Sequence, residues 1–452
     1  QTEKPPYRVP LMSEISALEP NGYKAVSTFS GCGGSSLGYR MAGFQMMWAS
    51  EFVEAARDAY KANAAPYTIL DGRDIRDVKP QDILDATGLD VGEIDLFDGS
   101  PPCASFSTAG KREKAWGTVK KYSDTEQRAD DLFFEYARLI GGTQPKTFVA
   151  ENVSGLVKGS AKGYFLEILA ALKAAGPGYR VSARLLDAQW LGVPQTRGRV
   201  IFVGVRSDLV DEKGWPLQPC HPTPLPYRYS IRDALPWITQ AVHDTSGSFG
   251  KGEFTDGPSP AITVGVNSLN ARHYQVSGPG GDPSLVIGYP HHKQKPGHSF
   301  PRGERFSPDV PCPTVMASEA GIGGARHYLE NAPAIEPEAD ISGYEIGKEW
   351  DKLKPGGQSE RYFRLTRPDP DGPSPCVTAS GGTSSLAGVT HPHERRKFSI
   401  AELRRICGFP DDFILTGTYA QQWERLGRAV PPVMMSHIAQ TVRTKILDQM
   451  AK

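Results

Sequence analysis

The apolar positions of this chain fall into short runs that alternate with helical spacing through the first half and lose that order afterwards. Lys24 to Phe29 reads as a strand that runs into the glycine-rich stretch Ser30-Gly31-Cys32-Gly33-Gly34-Ser35-Ser36-Leu37-Gly38, with a helix following to Met41. Gln45 to Ser50 reads as a second strand ending in Glu51-Phe52, and Tyr67 to Leu70 as a third leading to Asp74-Ile75. The run Ile94 to Phe97 stops at Asp98-Gly99, as a buried strand does at a turn. From Arg128 to Ile140 the spacing of Leu132, Phe133, Tyr136, Leu139 and Ile140 predicts a helix with one apolar, core-facing side. Thr147 to Ala150 is a strand that delivers Glu151-Asn152-Val153, and Val181 to Asp187 and Arg199 to Val205 are two more. Strands alternating with helices predict an α/β fold on a parallel sheet, whose ligands gather beyond the carboxyl ends of the strands. On that geometry the glycine turn, Glu51, Asp74, Cys103 and Glu151 lie along one rim.

Between Arg206 and His391 the chain becomes rich in Pro and Gly and shows few helical patterns. It carries an internal repeat. Pro258-Ser259-Pro260-Ala261-Ile262-Thr263 precedes Ala271-Arg272-His273-Tyr274, and Pro311-Cys312-Pro313-Thr314-Val315 precedes Ala325-Arg326-His327-Tyr328. Pro373-Ser374-Pro375-Cys376-Val377-Thr378 is a third, partial copy before Gly381-Gly382.

The 452 residues are enough for two or three domains with sizeable cores. With 51 Lys+Arg against 51 Asp+Glu there is no global basicity, so any nucleic-acid surface has to be local. No apolar run approaches the ~18 residues of a membrane span, and the polar start Gln1-Thr2-Glu3-Lys4 is not followed by a signal-peptide core. The cysteines at 32, 103, 220, 312, 376 and 407 are scattered without a CxxC pair. That argues against a zinc ribbon or a disulfide framework and for a reducing, intracellular compartment.

Four stretches carry candidate chemistry. Pro101 and Pro102 fix the backbone directly before Cys103, just past the end of a strand, which suits a nucleophile on a stiff tether; a buried cysteine in a Pro-rich turn is the alternative. The glycine turn suits a nucleotide-like cofactor, with Glu51 twenty residues after Gly31 placed to receive ribose hydroxyls. A plain tight connection is the other reading, since Ser36 stands where a dinucleotide fingerprint would have its third glycine. Gln195-Thr196-Arg197-Gly198-Arg199 places two alternating arginines on one face of a strand, either a solvated edge or a device for binding anions and carbonyls. Glu151 reads as a rim carboxylate or as a helix cap.

Taken in order, Phe29-Ser30-Gly31-Cys32-Gly33-Gly34, Pro101-Pro102-Cys103, Glu151-Asn152-Val153 and Gln195-Thr196-Arg197-Gly198-Arg199 resemble the C5-cytosine DNA methyltransferases. Leu132-Phe133-Phe134, the stretch from Arg396-Lys397-Phe398-Ser399 to Gly408-Phe409-Pro410, and Gly427-Arg428-Ala429-Val430-Pro431-Pro432 resemble further motifs of that family. The resemblance implies a Rossmann-like, S-adenosylmethionine-dependent catalytic domain over 1–206, completed by 427–452. It also implies a second, smaller, irregular β-rich target-recognition domain over 207–426, whose size favours DNA over the tRNA-modifying relatives. The activity implied is transfer of a methyl group from S-adenosylmethionine to carbon 5 of a cytosine flipped out of double-stranded DNA, through a covalent cysteine adduct.

Residue by residue, the resemblance makes Cys103 the nucleophile and Glu151 the group on ring nitrogen 3 and the exocyclic amine. Arg197 is placed on the oxygen-2 side, and Arg199 becomes a candidate for orienting the loop that bears the cysteine. Phe29, Gly31, Gly33, Gly34, Glu51, Phe52, Asp74, Ile75 and Leu132 are expected around the cofactor, with no metal. Lys111, Arg112, Arg272 and Arg326 are expected on DNA, although the repeat is equally readable as a turn-plus-strand scaffold and the 111–116 segment as a solvated loop. The expected context is a monomer in the cytoplasm, nucleoid-associated in a prokaryote, with or without a cognate restriction endonuclease. Arg428 stands where the family usually has Asn, and Ala104 where Gln commonly follows the cysteine. A nucleotide-dependent oxidoreductase would use the glycine turn and Glu51 but leave Pro101-Pro102-Cys103 and Glu151-Asn152 without a role. A non-enzymatic DNA-binding module would need neither Cys103 nor Glu151.

Overall fold

A computed structural model describes residues 3–102, 132–157, 163–238 and 333–451, with the backbone alone of residue 162 and of short strands within 119–128, 240–287 and 314–328. The chain forms two compact units. One comprises Gln1–Tyr229, Pro375–Gly382 and Leu403–Lys452; the other comprises Ser230–Ser374 and Thr383–Glu402. These limits are set by packing and differ from the boundaries at 206 and 427 that the motif positions imply.

The first unit is built on a seven-stranded sheet. Its strands are β1 (Lys24–Thr28), β2 (Gln45–Ser50), β3 (Ile69–Asp71), β4 (Leu96–Gly99), β5 (Thr147–Val153), β6 (Tyr179–Asp187) and β7 (Gly198–Arg206), in the order β3-β2-β1-β4-β5-β7-β6. The first five are parallel. Strand β7 runs antiparallel to both β5 and β6, so the sheet is mostly, not wholly, parallel. The strand order reverses between β1 and β4, the topological switch where open α/β sheets bind ligands.

Two apolar layers sandwich the sheet, which is why its central strands are near-continuous hydrophobic runs. Val26, Phe97 and Phe148 face one layer with Leu132, Tyr136 and Ile140. Ala25, Leu96 and Val149 face the other with Tyr39, Met434 and Ile438. Helices α1 (Gly34–Met41), α3 (Pro80–Thr87), α4 (Leu132–Thr143), α5 (Lys162–Ala174) and α7 (Pro432–Lys445) supply these layers, while α2 (Glu54–Asn63) and α6 (Tyr419–Arg428) belong to the same unit. Helix α4 starts later than expected and runs on through Gly141-Gly142. Glycine is required at 142, because a Cβ there would lie 2.3 Å from Pro80 Cγ at the start of α3. Strand β5 continues past Ala150 because Glu151, Asn152 and Val153 pair with Ile201, Val200 and Arg199 of β7.

In the second unit Ile341, Ile346, Trp350 and Leu365 form a small core. The buried guanidinium of Arg396 is held by both oxygens of Glu402, at 2.7 and 2.9 Å. Its strands are short and antiparallel: a four-stranded sheet from segments within 240–287, and two hairpins. In the second repeat copy Thr314–Met316 pairs with Arg326–Tyr328. The third copy differs, since Pro375–Gly382 belongs to the first unit. No helix among the described residues is long and apolar enough to cross a membrane.

Helices α1 and α7 meet at Gly38, where an added Cβ would stand 2.6 Å from both Pro432 O and Met435 Cβ. Gly38→Ala should force the pair apart and cost about 1–3 kcal/mol. Urea unfolding of the variant should show a lower midpoint at unchanged slope; an unchanged midpoint would mean that this contact yields without cost.

Candidate active site

Strand β1 ends in a turn that its residues hold under tension. Phe29 has φ 54°, Gly31 φ 56° and Gly33 φ 97°, so a non-glycine residue and two glycines share left-handed backbone. The turn is pinned to the neighbouring strand by Ser30 N–H to Ser50 O at 3.0 Å. Glu51, directly after β2, closes it: Oε2 accepts from Gly31 N and Oε1 from Val53 N, both at 2.7 Å. Burial raises the pKa of this carboxyl, while the amides of Val53 and Gly31 oppose that rise. Each oxygen keeps a second lone pair, the chemistry needed for a pair of ribose hydroxyls.

Above the turn lies a cleft of about 540 Å³, a size that suits a nucleoside cofactor. Phe29, Phe52 and Ile75 give it apolar walls and Glu51 its carboxylate. A Cβ built on Gly31 would meet no protein atom within 4 Å, so it would stand in the cleft itself. The residues present therefore fit an adenosine-bearing group.

Of the remaining residues expected around the cofactor, Gly34 lines the cleft, but its missing Cβ serves packing, because one would lie 2.3 Å from Val430 O. Gly33, Asp74 and Leu132 do not line it. A Cβ on Gly33 would sit 3.0 Å from the Tyr60 ring. Asp74 pairs with Arg76 at 3.1 Å, while its neighbour Arg73 lines the cleft. Leu132 is fully buried in the core.

More of the lining comes from the ends of β4, β5 and β7. Gly99 passes under Tyr136, where a Cβ would be 2.4 Å from the ring, and Ser100, Pro101 and Pro102 then line the cleft. Asn152 Nδ2 donates to Pro101 O at 3.0 Å, tying this segment to the end of β5. Cys103, Ala104, Lys111, Arg112 and Arg272 lie outside the described residues, and of Arg326 only the backbone is described. Glu151 Oε1 is 2.7 Å from Arg199 Nε. The pair forms because β7 is antiparallel, which brings its amino end to the rim where β5 ends. Arg199 thus holds Glu151.

Arg197 precedes β7 and is only 2% exposed. Its Nη1 donates to Val377 O at 3.2 Å and reaches Cys376 Sγ at 3.6 Å, and its Nη2 donates to Gly427 O at 3.0 Å. Its Nε is buried without a partner among the described residues. Burial, then the charge of Arg199, lowers its pKa. The expectation of two arginines on one face of a strand is replaced by one on the strand and one ahead of it, both lining the cleft.

Cys376, Thr378, Arg425 and Val430 also line the cleft. The motif-like stretch at 427–432 and the third repeat copy signalled these segments, but nothing local marked Arg425. Cys32 and Cys407 are buried, and burial pushes both thiols up to about 12, away from the thiolate form that a nucleophile uses.

A family model described as C-5 cytosine-specific DNA methylase matches residues 23–256 and 325–444. The Type II methyltransferase M1.HphI of Haemophilus parahaemolyticus is 27% identical over 418 residues, 92% of this chain and 86% of that protein. The Type II methyltransferase M.AgeI of Thalassovita gelatinovora is 27% identical over 454 residues, 94% of this chain and all of that protein. Among solved structures, a prophage-encoded DNA modification methyltransferase of E. coli matches with a TM-score of 0.55 at 19% identity, over 94% of this chain and 100% of that one. That likeness is one of fold.

Removing the Glu51 carboxylate leaves two backbone donors without acceptors. Glu51→Ala should cost about 2–6 kcal/mol of stability, the sum for two such groups. Chemical denaturation is the measurement, and a loss below ~1 kcal/mol would show that water replaces the carboxylate freely.

Proposed function

This chain belongs to the C-5 cytosine-specific DNA methylase family, and from that membership and the cleft geometry we infer how its residues transfer a methyl group from S-adenosylmethionine to carbon 5 of cytosine in DNA. The observation that carries the residue-level reading is the Asn152–Pro101 hydrogen bond. It tethers the segment leading into Cys103 beside Glu151, in the lining of the cleft that the glycine turn also lines.

Carbon 5 of cytosine is a poor nucleophile, so the ring has to be activated first. Cys103 adds through its thiolate to carbon 6, which makes the ring an enamine that is nucleophilic at carbon 5. Glu151 hydrogen-bonds ring nitrogen 3 and the exocyclic amine through Oε2, which has no partner among the described residues, and stabilises the charge that develops there. Arg199 keeps the other oxygen and so orients Glu151, a different task from the loop-orienting one first expected of it. Arg197, which lines the cleft, is assigned to the oxygen-2 side, while its Nη1 and Nη2 fasten Val377 and Gly427. S-adenosylmethionine, when bound, supplies an electrophilic methyl on a sulfonium. Loss of the carbon 5 proton and β-elimination then return the thiol. The oxidoreductase reading of the glycine turn gives the Glu151–Arg199 pair no task.

None of this chemistry reaches a stacked base, so the cytosine has to be flipped into the cleft from a duplex. We assign recognition of the duplex sequence to the second unit, with Arg272 and Arg326 as base or phosphate contacts, and closure over the phosphates to Lys111 and Arg112. The protein acts as a monomer on cytoplasmic or nucleoid DNA, in a restriction-modification setting like that named for its relatives.

DNA carrying 5-fluorocytosine should trap the enzyme, because fluorine cannot leave as a cation and the thioether persists. The adduct should survive denaturation, require S-adenosylmethionine and map to Cys103. Cys103→Ala should form none while still binding DNA, whose affinity is dominated by phosphates. Glu151→Gln should slow trapping by about 10²–10⁴-fold. A crosslink at any other cysteine would overturn the assignment.

Alanine at Arg272 and Arg326 should relax or abolish site choice with cofactor binding intact, each bidentate contact discriminating by about 1–3 kcal/mol. Bisulfite sequencing reads the outcome, and unchanged sites at unchanged rates would leave the repeat as scaffold.

A further inference from the structure

Asp98 takes no part in the chemistry above, yet it is a carboxyl group only 1% exposed in the middle of the sheet. Its Oδ2 accepts from Ser27 Oγ at 2.7 Å and its Oδ1 from Tyr39 Oη at 3.0 Å. Ser30 Oγ, on the glycine turn and in the wall of the cleft, donates in turn to Ser27 Oγ at 2.9 Å. A chain of two hydroxyls therefore joins the cleft to a buried acid.

The register says what lies above that acid. Asp98 is paired with Ser27 of β1 on one side and Val149 of β5 on the other. Strand β1 delivers the glycine turn, and β5 delivers Glu151 two residues beyond Val149. If the proposed function is right, the methyl donor spans the turn while its methyl faces the base held at Glu151. The positively charged sulfonium then has to lie between them, over the end of β4.

We propose that Asp98 is the buried counter-charge that makes this cleft favour the cationic methyl donor over its neutral product, S-adenosylhomocysteine. Methyl transfer removes the sulfonium charge and leaves a thioether, so the attraction exists for the substrate and vanishes for the product. The acid is placed to be charged or neutral near physiological pH. Burial lifts its pKa to about 7, with the Ser27 and Tyr39 hydroxyls opposing and the charge of Glu151 adding to the rise. Around it stand Ser27 on β1, Tyr39 on α1 and Glu151 on β5, while Tyr60 on α2 and Tyr136 on α4 also feel its charge. No Lys, Arg or His among the described residues pairs with it. As pH rises through about 7 the carboxyl ionises, and preference for the donor should rise with it.

The test is calorimetric binding of S-adenosylmethionine and S-adenosylhomocysteine to the full chain from pH 5.5 to 8.5. The two ligands share their amino, carboxyl and adenine groups, so the ratio of their affinities cancels every titration except those that sense the sulfonium. In the wild type this ratio should shift toward the donor by about tenfold across the range, the scale of a partly screened charge pair. Asp98→Asn, which keeps the volume, should give a ratio that is flat with pH and close to the wild-type value at low pH. Ser27→Ala, which removes the donor holding the carboxylate, should move the transition to higher pH and serves equally if Asp98→Asn fails to fold. A wild-type ratio that is flat with pH, or one whose rise survives in Asp98→Asn, overturns the proposal. Failure of the wild type to bind either ligand would instead overturn the reading of the cleft on which the proposal rests.

Discussion

Everything in the catalytic unit depends on the register of three parallel strands. Ser27, Asp98 and Val149 stand side by side in β1, β4 and β5, so these strands reach the same edge of the sheet within a few residues of one another. A parallel ladder allows nothing else, since a slip of one residue would turn each side chain to the opposite face. That constraint puts the glycine turn, the Pro101-Pro102 segment and Glu151 around one opening. The strand order reverses at the same place, which leaves the opening free of a crossover helix.

The opening is completed from far along the chain, and small residues make this feasible. Gly34 and Gly38 let α1 approach the backbone of Val430 and Pro432 at distances that no side chain would tolerate. With the return segments seated there, their carbonyls come within reach of Arg197. A buried guanidinium is costly to desolvate, and that cost is offset here by hydrogen bonds to Val377 O and Gly427 O. Arg197 is thus a fastener as well as a candidate for the base. Gly427 belongs to this arrangement too, since a Cβ there would stand 2.7 Å from Ala379 N.

Three carboxyl groups in and beneath the cleft are each restrained by donors of the protein itself. Glu51 is held by backbone amides, Glu151 by Arg199 and Asp98 by two hydroxyls. Restraint of this kind keeps reacting groups in place without recruiting water, the condition under which fixed dipoles and charges act most strongly on a transition state.

Strands β1, β2, β4 and β5 were legible from the chain alone, because a strand covered on both faces has to be apolar throughout. The same holds for α4, whose spacing survives any context. The glycine turn, Pro101-Pro102-Cys103 and Glu151-Asn152-Val153 were legible because each is contiguous and needs only its own residues. Where β5 ends was not legible: Glu151 to Val153 look like a loop and are strand only because β7 pairs with them. The direction of β7 was hidden for the same reason, and with it the pairing of Arg199 with Glu151. Helix α5 carries no motif and went unread. Asp74 looked like a rim carboxylate until Arg76 took it, while Asp98 looked like the end of a strand until the sheet closed over it. Arg197 finds Val377 180 residues away and Gly427 230 residues away, partners that only packing selects. Local sequence determines which backbone a segment adopts and which chemistry it carries. Burial, strand direction and distant partners decide which of those groups meet, because these depend on surfaces that exist only once the chain has folded.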